Sequence, residues 1–127
     1  LMKNILITGG AGYVGSGLLR GLLLKGYNVT CVDNLLFGEE SLLDIQHNKN
    51  FTFYKCDINN SKKLDEIFLK NNFDGVIHLA AIVGDPACKL YSDLAIKTNL
   101  NSSKRLIERC KELGISKFIF AYEILYI

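Results

Sequence analysis

A glycine-rich segment near the start of the chain restricts its possible folds more than any other feature. Gly9, Gly12 and Gly15 are spaced as GxxGxxG between a short apolar run and a longer apolar run with helical periodicity. Such glycines let the chain turn sharply off a strand, and they expose backbone N–H groups at a helix N-terminus, where the helix dipole favours an anion. The pattern predicts a strand, a turn that can hold a diphosphate, and a helix, although glycine turns also occur without any ligand.

The positions of the other glycines suggest different roles. A side chain at Gly12 would stand between the backbone and a ligand, and Gly15 would let the helix pack closely on the strand. Gly10 is less informative. Gly17 and Gly21 lie inside the predicted helix, where each glycine costs about 1 kcal/mol relative to alanine. We expect close packing on the sheet to explain these two glycines.

The rest of the chain alternates short apolar runs with longer helical ones. Strands are predicted at 4–8, 28–33, 51–56 and 74–79 and from 117 onward, and helices at 13–25, from Asn60 or Ser61, and at about 90–113, with a weak helix around 39–46. Alternation of this kind predicts parallel βαβ units with right-handed crossovers. We therefore expect an α/β fold, a doubly wound, mostly parallel sheet of Rossmann type with strand order 3-2-1-4-5.

Asp33 lies at the end of the second predicted strand, 18 residues after Gly15. An acidic residue about 20 residues beyond such a glycine motif binds the hydroxyl groups of an adenosine ribose. A carboxylate there repels a 2′-phosphate, so the spacing favours NAD over NADP. The alternative is that Asp33 and Asn34 simply form a turn at the end of the strand.

Composition and charge exclude several other classes of protein. The 127 residues suit one domain, 1–127, and the net charge of +2 with interleaved charges indicates no nucleic-acid surface. We find no signal peptide and no apolar run long enough for a membrane span. The four cysteines form no CxxC pair, so we expect no metal site, reduced thiols and a cytoplasmic location.

Five segments together resemble the extended short-chain dehydrogenase/reductase family, which includes the nucleotide-sugar epimerases and dehydratases. They are TGGAGYVGS at 8–16, VDNLLFG at 32–38, CDI at 56–58, HLAAIVG at 78–84, and KTNLNSSKRLIERCKELGISKFIF at 97–120. The resemblance covers residues 2 to about 121. It implies NAD as the cofactor and, in a full-length form, a nucleotide sugar as the substrate.

The resemblance also implies roles for individual residues. The pyrophosphate would lie on Gly9, Gly12, Tyr13, Val14 and Gly15. The adenosine ribose would be held by Asp33 and Asn34, and the adenine would lie between Asp57 and Ile58. Leu79, Ala80 and Ala81 would present small surfaces to the cofactor, and Asn99 would fix a nearby loop or water. Asp57 has an alternative role in a turn before a helix, and Asn99 has one as a polar residue facing solvent. His78 is interpreted as a packed residue at a strand end rather than a catalyst.

One part of the family pattern is missing from this sequence. The family's chemistry requires a Tyr followed four residues later by a Lys, so that the Tyr takes a proton from a sugar hydroxyl while NAD accepts a hydride. None of the six tyrosines has a Lys at that distance, and Glu123 falls where the family has a catalytic Ser or Thr. We therefore predict no catalytic residue in a chain truncated after about the fifth strand, without its substrate-binding part, and we hypothesise that the last six residues are out of frame.

Three functions fit these observations. The chain is the NAD-binding portion of a nucleotide-sugar epimerase or dehydratase, inactive alone; or a stand-alone NAD-binding or redox-sensing module; or a fold that serves only as an interaction surface. The first explains the most motifs. The apolar, β-prone segment KFIFAYEILYI at 117–127 would form an exposed edge strand, which predicts self-association.

Overall fold

The computed structural model describes residues 3–35, 39–84 and 89–126, and its centre is a five-stranded parallel sheet. The strands are β1 (Asn4–Thr8), β2 (Asn28–Asp33), β3 (Phe51–Lys55), β4 (Gly75–Gly84) and β5 (Lys117–Tyr126). The helices are α1 (Tyr13–Leu24), α2 (Ser61–Lys70) and α3 (Lys89–Glu112), with one 3₁₀ turn at Glu40–Leu42. The strand order β3-β2-β1-β4-β5 confirms the predicted doubly wound α/β fold.

Two apolar cores lie on opposite faces of the sheet. On one face, Leu6 packs with Ile67 of α2 and Leu106 of α3. On the other face, Ile7 packs with Leu19 of α1. Consecutive residues of a strand point to opposite faces, so a strand buried on both sides must be apolar throughout. This is why Leu6 and Ile7 are both completely buried.

The helix ends follow from local sequence. The side chain of Asn60 accepts a hydrogen bond from the backbone N–H of Lys63 at 3.2 Å, so Asn60 caps α2. Gly26 and Gly114 follow α1 and α3 with φ angles of +88° and +73°. These are left-handed conformations that favour glycine, so each glycine can end its helix.

Two elements differ in length from the sequence prediction. β4 continues to Gly84, beyond the predicted end at 79, because it pairs with β5 without interruption from Gly75 and Lys117 to Gly84 and Tyr126. The weak helix predicted around 39–46 is reduced to a single 3₁₀ turn followed by further turns. In both cases tertiary pairing or packing outweighs local propensity.

The prediction of close packing at Gly17 and Gly21 was wrong. Both residues are exposed, and a Cβ built at either position would meet no atom within 4 Å. On the same helix Val14 is 48% exposed, whereas Leu19 is fully buried. Both glycines therefore lie on the solvent side of α1.

Candidate functional site

The turn between β1 and α1 can be built only with glycine at two of its key positions. Gly9 has φ +77°, and a Cβ there would lie 2.4 Å from the carbonyl oxygen of Leu79. At Gly15, a Cβ would lie 2.7 Å from the Gly9 carbonyl oxygen. Neither distance leaves room for a carbon atom, so the start of α1 folds directly onto the turn. Gly15 thus allows the helix to approach the turn itself rather than the strand.

Gly10 has a packing role that the sequence did not reveal. A Cβ at this position would lie 2.5 Å from the Sγ atom of Cys31 on β2 and 3.2 Å from a methyl group of Leu19. Burial raises the pKa of the Cys31 thiol to about 12, so the side chain is a neutral packing group behind the turn. No sequence signal distinguishes Gly10, because its constraint comes from a residue that lies 21 positions away.

Gly12 is constrained in a different way. It is the N-cap of α1 and, as a glycine, offers no side-chain oxygen to the first N–H groups of the helix. Among the described residues, the nearest atom to a Cβ at Gly12 would be the Gly9 carbonyl oxygen, 3.5 Å away, so these residues leave room at Gly12. Uncapped N–H groups beside open space, together with the helix dipole, are suited to an anion.

The carboxylate of Asp33 joins the two loops that border this turn. Its Oδ2 accepts a hydrogen bond from the backbone N–H of Ala11 at 3.0 Å, and its Oδ1 accepts one from the N–H of Leu35 at 2.7 Å. Leu35 has φ +59°, an unusual conformation for a non-glycine residue, and Asn34 is exposed between them. Each carboxylate oxygen can accept more than one hydrogen bond, so both retain capacity for ribose hydroxyl groups.

Asp57 and Ile58 follow β3, the neighbour of β2, and therefore lie at the same edge of the sheet as Asp33. Oδ1 of Asp57 accepts hydrogen bonds from the backbone N–H of Asn59 at 2.8 Å and from its side-chain amide at 3.1 Å. The turn role considered for Asp57 is thus present in the structure, while its exposed carboxylate leaves room for a second partner. Ile58 is half-buried against the core beneath α2 and α3.

His78 is a packed residue, as predicted. It is 4% exposed on β4; its Nδ1 is hydrogen-bonded to the Thr8 hydroxyl and its Nε2 to the Ser103 hydroxyl at 2.9 Å. Its ring lies 5.4 Å from that of Phe120. Burial lowers the pKa of His78 to about 4, which keeps the imidazole neutral at physiological pH. A neutral ring with hydrogen bonds on both nitrogens joins the sheet to α3 and is not suited to proton transfer.

The structure brings some of the predicted site residues together and leaves others open. The backbones of Gly9, Gly12, Gly15 and Leu79 meet Asp33 at the carboxyl-terminal edge of the sheet, and Val14 is half-exposed in the first turn of α1. Asn34, Asp57 and Ile58 lie at the same edge. The side chains of Tyr13, Ala80, Ala81 and Asn99 lie outside what the structure describes, although the backbones belong to α1, β4 and α3. The ligand roles of all these residues remain predictions.

One polar contact with the turn was not predicted from the sequence. The hydroxyl group of Ser41 donates a hydrogen bond to the carbonyl oxygen of Ala11 at 2.8 Å. Ser41 lies in the 3₁₀ turn that replaced the predicted weak helix, 30 residues from Ala11 in the sequence. A single serine in a polar loop carries no signal by which this contact could have been predicted.

The part of the chain that the structure describes has no group of three or more His, Cys, Asp and Glu side chains that could hold a metal ion. The helices that the structure describes are all too short or too polar to cross a bilayer. Cys31, Cys56 and Cys110 are free and buried, while Cys88 lies outside the described residues.

Comparison with known proteins identifies relatives of this arrangement. The sequence model of the NAD dependent epimerase/dehydratase family matches residues 5–122. UDP-glucose 4-epimerase 2 of Oryza sativa subsp. japonica is 34% identical over 130 residues, which cover 94% of this chain and 31% of the rice protein. The chain therefore spans about a third of the length of the relatives it matches.

Solved structures of UDP-glucose 4-epimerases are also similar to this chain. UDP-glucose 4-epimerase from Thermotoga maritima, crystallised with UDP-glucose, superimposes with a TM-score of 0.78 at 37% identity over 92% of this chain and 37% of that protein. UDP-glucose 4-epimerase from Thermus thermophilus, crystallised with NAD, superimposes with a TM-score of 0.76 at 28% identity over 91% of this chain and 36% of that protein. The matched region is the described sheet with its helices.

Proposed function

This chain belongs to the NAD dependent epimerase/dehydratase family, and from that premise we propose that it binds NAD at the carboxyl-terminal edge of its sheet. It is the cofactor-binding part of a nucleotide-sugar epimerase or dehydratase. One observation carries the proposal: Asp33 at the end of β2 holds the backbone of a glycine turn whose helix begins at Gly12 without a side-chain cap, where the described residues leave open space. A carboxylate suited to a ribose and a helix N-terminus suited to a pyrophosphate therefore lie side by side.

The chemistry of this edge fits the cofactor. The N–H groups at the start of α1, in the turn formed by Gly9, Gly12, Tyr13, Val14 and Gly15, would donate to the pyrophosphate. Asp33 and Asn34 would bind the adenosine ribose, and the negative charge of Asp33 would repel the extra phosphate of NADP. The space left open at Gly12 supports this role, because no contact within the described protein accounts for a glycine there.

The remaining predicted residues would complete the site. Asp57 would accept from the adenine amino group with Ile58 against the ring, Leu79, Ala80 and Ala81 would line the cofactor, and Asn99 would fix a nearby loop or water. When bound, NAD supplies a hydride acceptor. This chain's own residues bind and orient the cofactor. Its sequence has no Tyr with a Lys four residues later, so we propose that the chain alone does not turn over a nucleotide sugar.

Two further properties belong to the same proposal. In the described sheet, β5 pairs with β4 alone, and Ile119 on β5 is 60% exposed. An apolar edge strand of this kind is suited to pairing with another chain, which supports self-association. The buried free thiols Cys31, Cys56 and Cys110 support a cytoplasmic location, where thiols remain reduced.

Calorimetric titration of the protein with NAD and NADP tests the proposal. We expect NAD to bind measurably, to bind more tightly than NADP, and to shift the amide NMR signals of residues 9–15 and 33–35. NAD binding is expected whether the chain is a stand-alone sensor or part of an enzyme. Activity assays with UDP-glucose can distinguish these two functions only in a longer chain. Saturating NAD that leaves both the amide signals and the melting temperature unchanged would exclude cofactor binding, leaving an interaction surface as the function.

A further inference from the structure

The last residue of β2 and the connection from β2 to β3 together hold the middle of the glycine turn. The N–H of Ala11 donates to Oδ2 of Asp33 at 3.0 Å, and the carbonyl oxygen of Ala11 accepts from the Ser41 hydroxyl at 2.8 Å. Ala11 is 8% exposed, so both contacts are largely shielded from water. The two hydrogen bonds fix the two peptide groups that flank Ala11.

Fixing the carbonyl of Ala11 has a direct consequence for the next residue. The Ala11 carbonyl and the Gly12 N–H belong to one planar peptide group and point in opposite directions. Gly12 itself gives little resistance to rotation of this group, because glycine accepts both signs of φ. The same peptide group makes a second hydrogen bond, from the Gly12 N–H to the Gly9 carbonyl oxygen, which is long at 3.3 Å. The Ser41 hydroxyl is therefore the strongest described constraint on this peptide group.

Arg20 of α1 in turn holds Ser41 in place. Its Nη2 donates to the Ser41 carbonyl oxygen at 2.7 Å, and its Nη1 donates to the Ser16 carbonyl oxygen at 2.9 Å. The same guanidinium is hydrogen-bonded to both carboxylate oxygens of Asp44, Nε to Oδ2 at 3.2 Å and Nη2 to Oδ1. A planar guanidinium can bind several acceptors in fixed directions, which a lysine ammonium cannot do.

Apolar packing holds the segment that contains Ser41 and Asp44 against α1. Leu42 ends the 3₁₀ turn and Ile45 follows Asp44, and both are buried in the same core as Ala11 and Leu19. The hydrogen bond from Arg20 lowers the pKa of the Asp44 carboxyl group, so Asp44 is ionised at neutral pH. The segment is thus anchored by packing below and by an ion pair at the surface.

We propose that Arg20 and Ser41 are positioning residues for the dinucleotide. Arg20 fixes the main chain at Ser41, and the Ser41 hydroxyl fixes the peptide group between Ala11 and Gly12, so that the turn is set before the ligand arrives. Pre-organisation of this kind raises affinity by removing the cost of ordering the site on binding. The inference rests on the proposed function and extends it to two residues that touch neither the cofactor nor the substrate.

Binding of ADP-ribose and of adenosine to wild type, Ser41→Ala and Arg20→Met tests the inference. ADP-ribose has the pyrophosphate and adenosine does not, so only ADP-ribose depends on the turn. We expect each variant to weaken ADP-ribose binding by about threefold to tenfold, which corresponds to the loss of one ordinary hydrogen bond. Adenosine binding, followed by NMR, should stay within about twofold of wild type, a difference that general destabilisation would not produce.

Three further variants serve as controls. Arg109→Met removes another arginine with two ion-pair partners, Asp65 and Glu112, on the opposite face of the sheet, and it should bind ADP-ribose as wild type does. Ser41→Thr keeps the hydroxyl group and should retain wild-type binding. Arg20→Lys keeps the positive charge but lacks the planar guanidinium, and it should bind ADP-ribose as weakly as Arg20→Met does. Circular dichroism establishes that each variant is folded under the binding conditions.

The outcomes separate the two proposals. If wild type does not bind ADP-ribose, the proposed function fails and this inference fails with it. If wild type binds and both Ser41→Ala and Arg20→Met bind equally well, the inference alone is overturned. An equal loss of adenosine binding, or an equal loss in Arg109→Met, also overturns it, because either result means that the arginine acts through overall stability.

Discussion

The carboxylate of Asp33 holds the glycine turn through the Ala11 N–H, and we propose that the same carboxylate selects the dinucleotide. We predict that Asp33→Asn weakens NAD binding by about tenfold or more, because a neutral amide binds ribose hydroxyl groups less strongly than a carboxylate. The preference for NAD over NADP should also narrow, because the charge that repels a 2′-phosphate is gone. Calorimetric titration with both dinucleotides measures the two effects.

The matched control for this substitution is Asp65→Asn. Asp65 is an ion-paired aspartate on α2, on the opposite face of the sheet, and its carboxylate contacts Arg109 at 2.9 Å. This variant should leave both dinucleotide affinities at wild-type values. An Asp33→Asn protein that remains folded and keeps the wild-type ratio of NAD to NADP affinity would refute the ribose role of Asp33.

The glycines of α1 give a second prediction for individual residues. Gly17→Ala and Gly21→Ala should each raise the free energy of unfolding by about 1 kcal/mol, because alanine has the higher helix propensity and open space awaits its Cβ. Gly15→Ala should lower it, because its Cβ would lie 2.7 Å from backbone atoms of Gly9 and Gly10. Urea unfolding of the three variants measures these changes. Destabilisation by Gly17→Ala or Gly21→Ala would show that the solvent face of α1 is covered in solution.

Among the elements, those governed by local periodicity were predicted and those governed by distant partners were not. The strands β1 and β2 and the helix caps follow from apolar runs, Asn60, Gly26 and Gly114, which act within a few residues. The length of β4 depends on pairing with β5, whose residues lie about 40 positions later. At the site, the spacing from Gly15 to Asp33 singled out a carboxylate that does lie beside the turn, but the contact of Ser41 with Ala11 had no local signal.

The exposed edge at β5 leads to a prediction for that element. Ile119 is 60% exposed, and we expect it to contribute to self-association of the chain through β5. Ile119→Lys should reduce the concentration dependence of the molar mass measured by light scattering, because charged residues on an edge strand oppose pairing. Leu69→Lys is the control, since Leu69 is 76% exposed on α2 and equally apolar. Wild type that stays monomeric at high concentration, or equal effects of the two substitutions, would contradict the prediction.

For the molecule as a whole, the buried imidazole of His78 links stability to pH. Thr8 on β1 and Ser103 on α3 bind its two nitrogens, so the ring connects two strands and a helix across one face of the sheet. Burial lowers the pKa of His78 from 6.5 to about 4 in the folded protein. Between these values the unfolded chain binds a proton that the folded chain excludes. The contribution of the neutral His78 to the free energy of unfolding is therefore fully present above pH 6.5 and is lost as the pH falls towards 4.

We predict that lowering the pH from 7.5 to 5 reduces the free energy of unfolding by about 2 kcal/mol through His78 alone. His78→Gln should remove most of this dependence, because glutamine can bind both hydroxyl groups but does not titrate, although the variant itself should be less stable. His47→Gln is the control, since His47 is exposed, and it should retain the wild-type slope. Urea unfolding at the two pH values measures the change. A wild-type slope in His78→Gln would place the pH dependence elsewhere, and it would mean that the folded sheet tolerates a charged imidazole between β4 and α3.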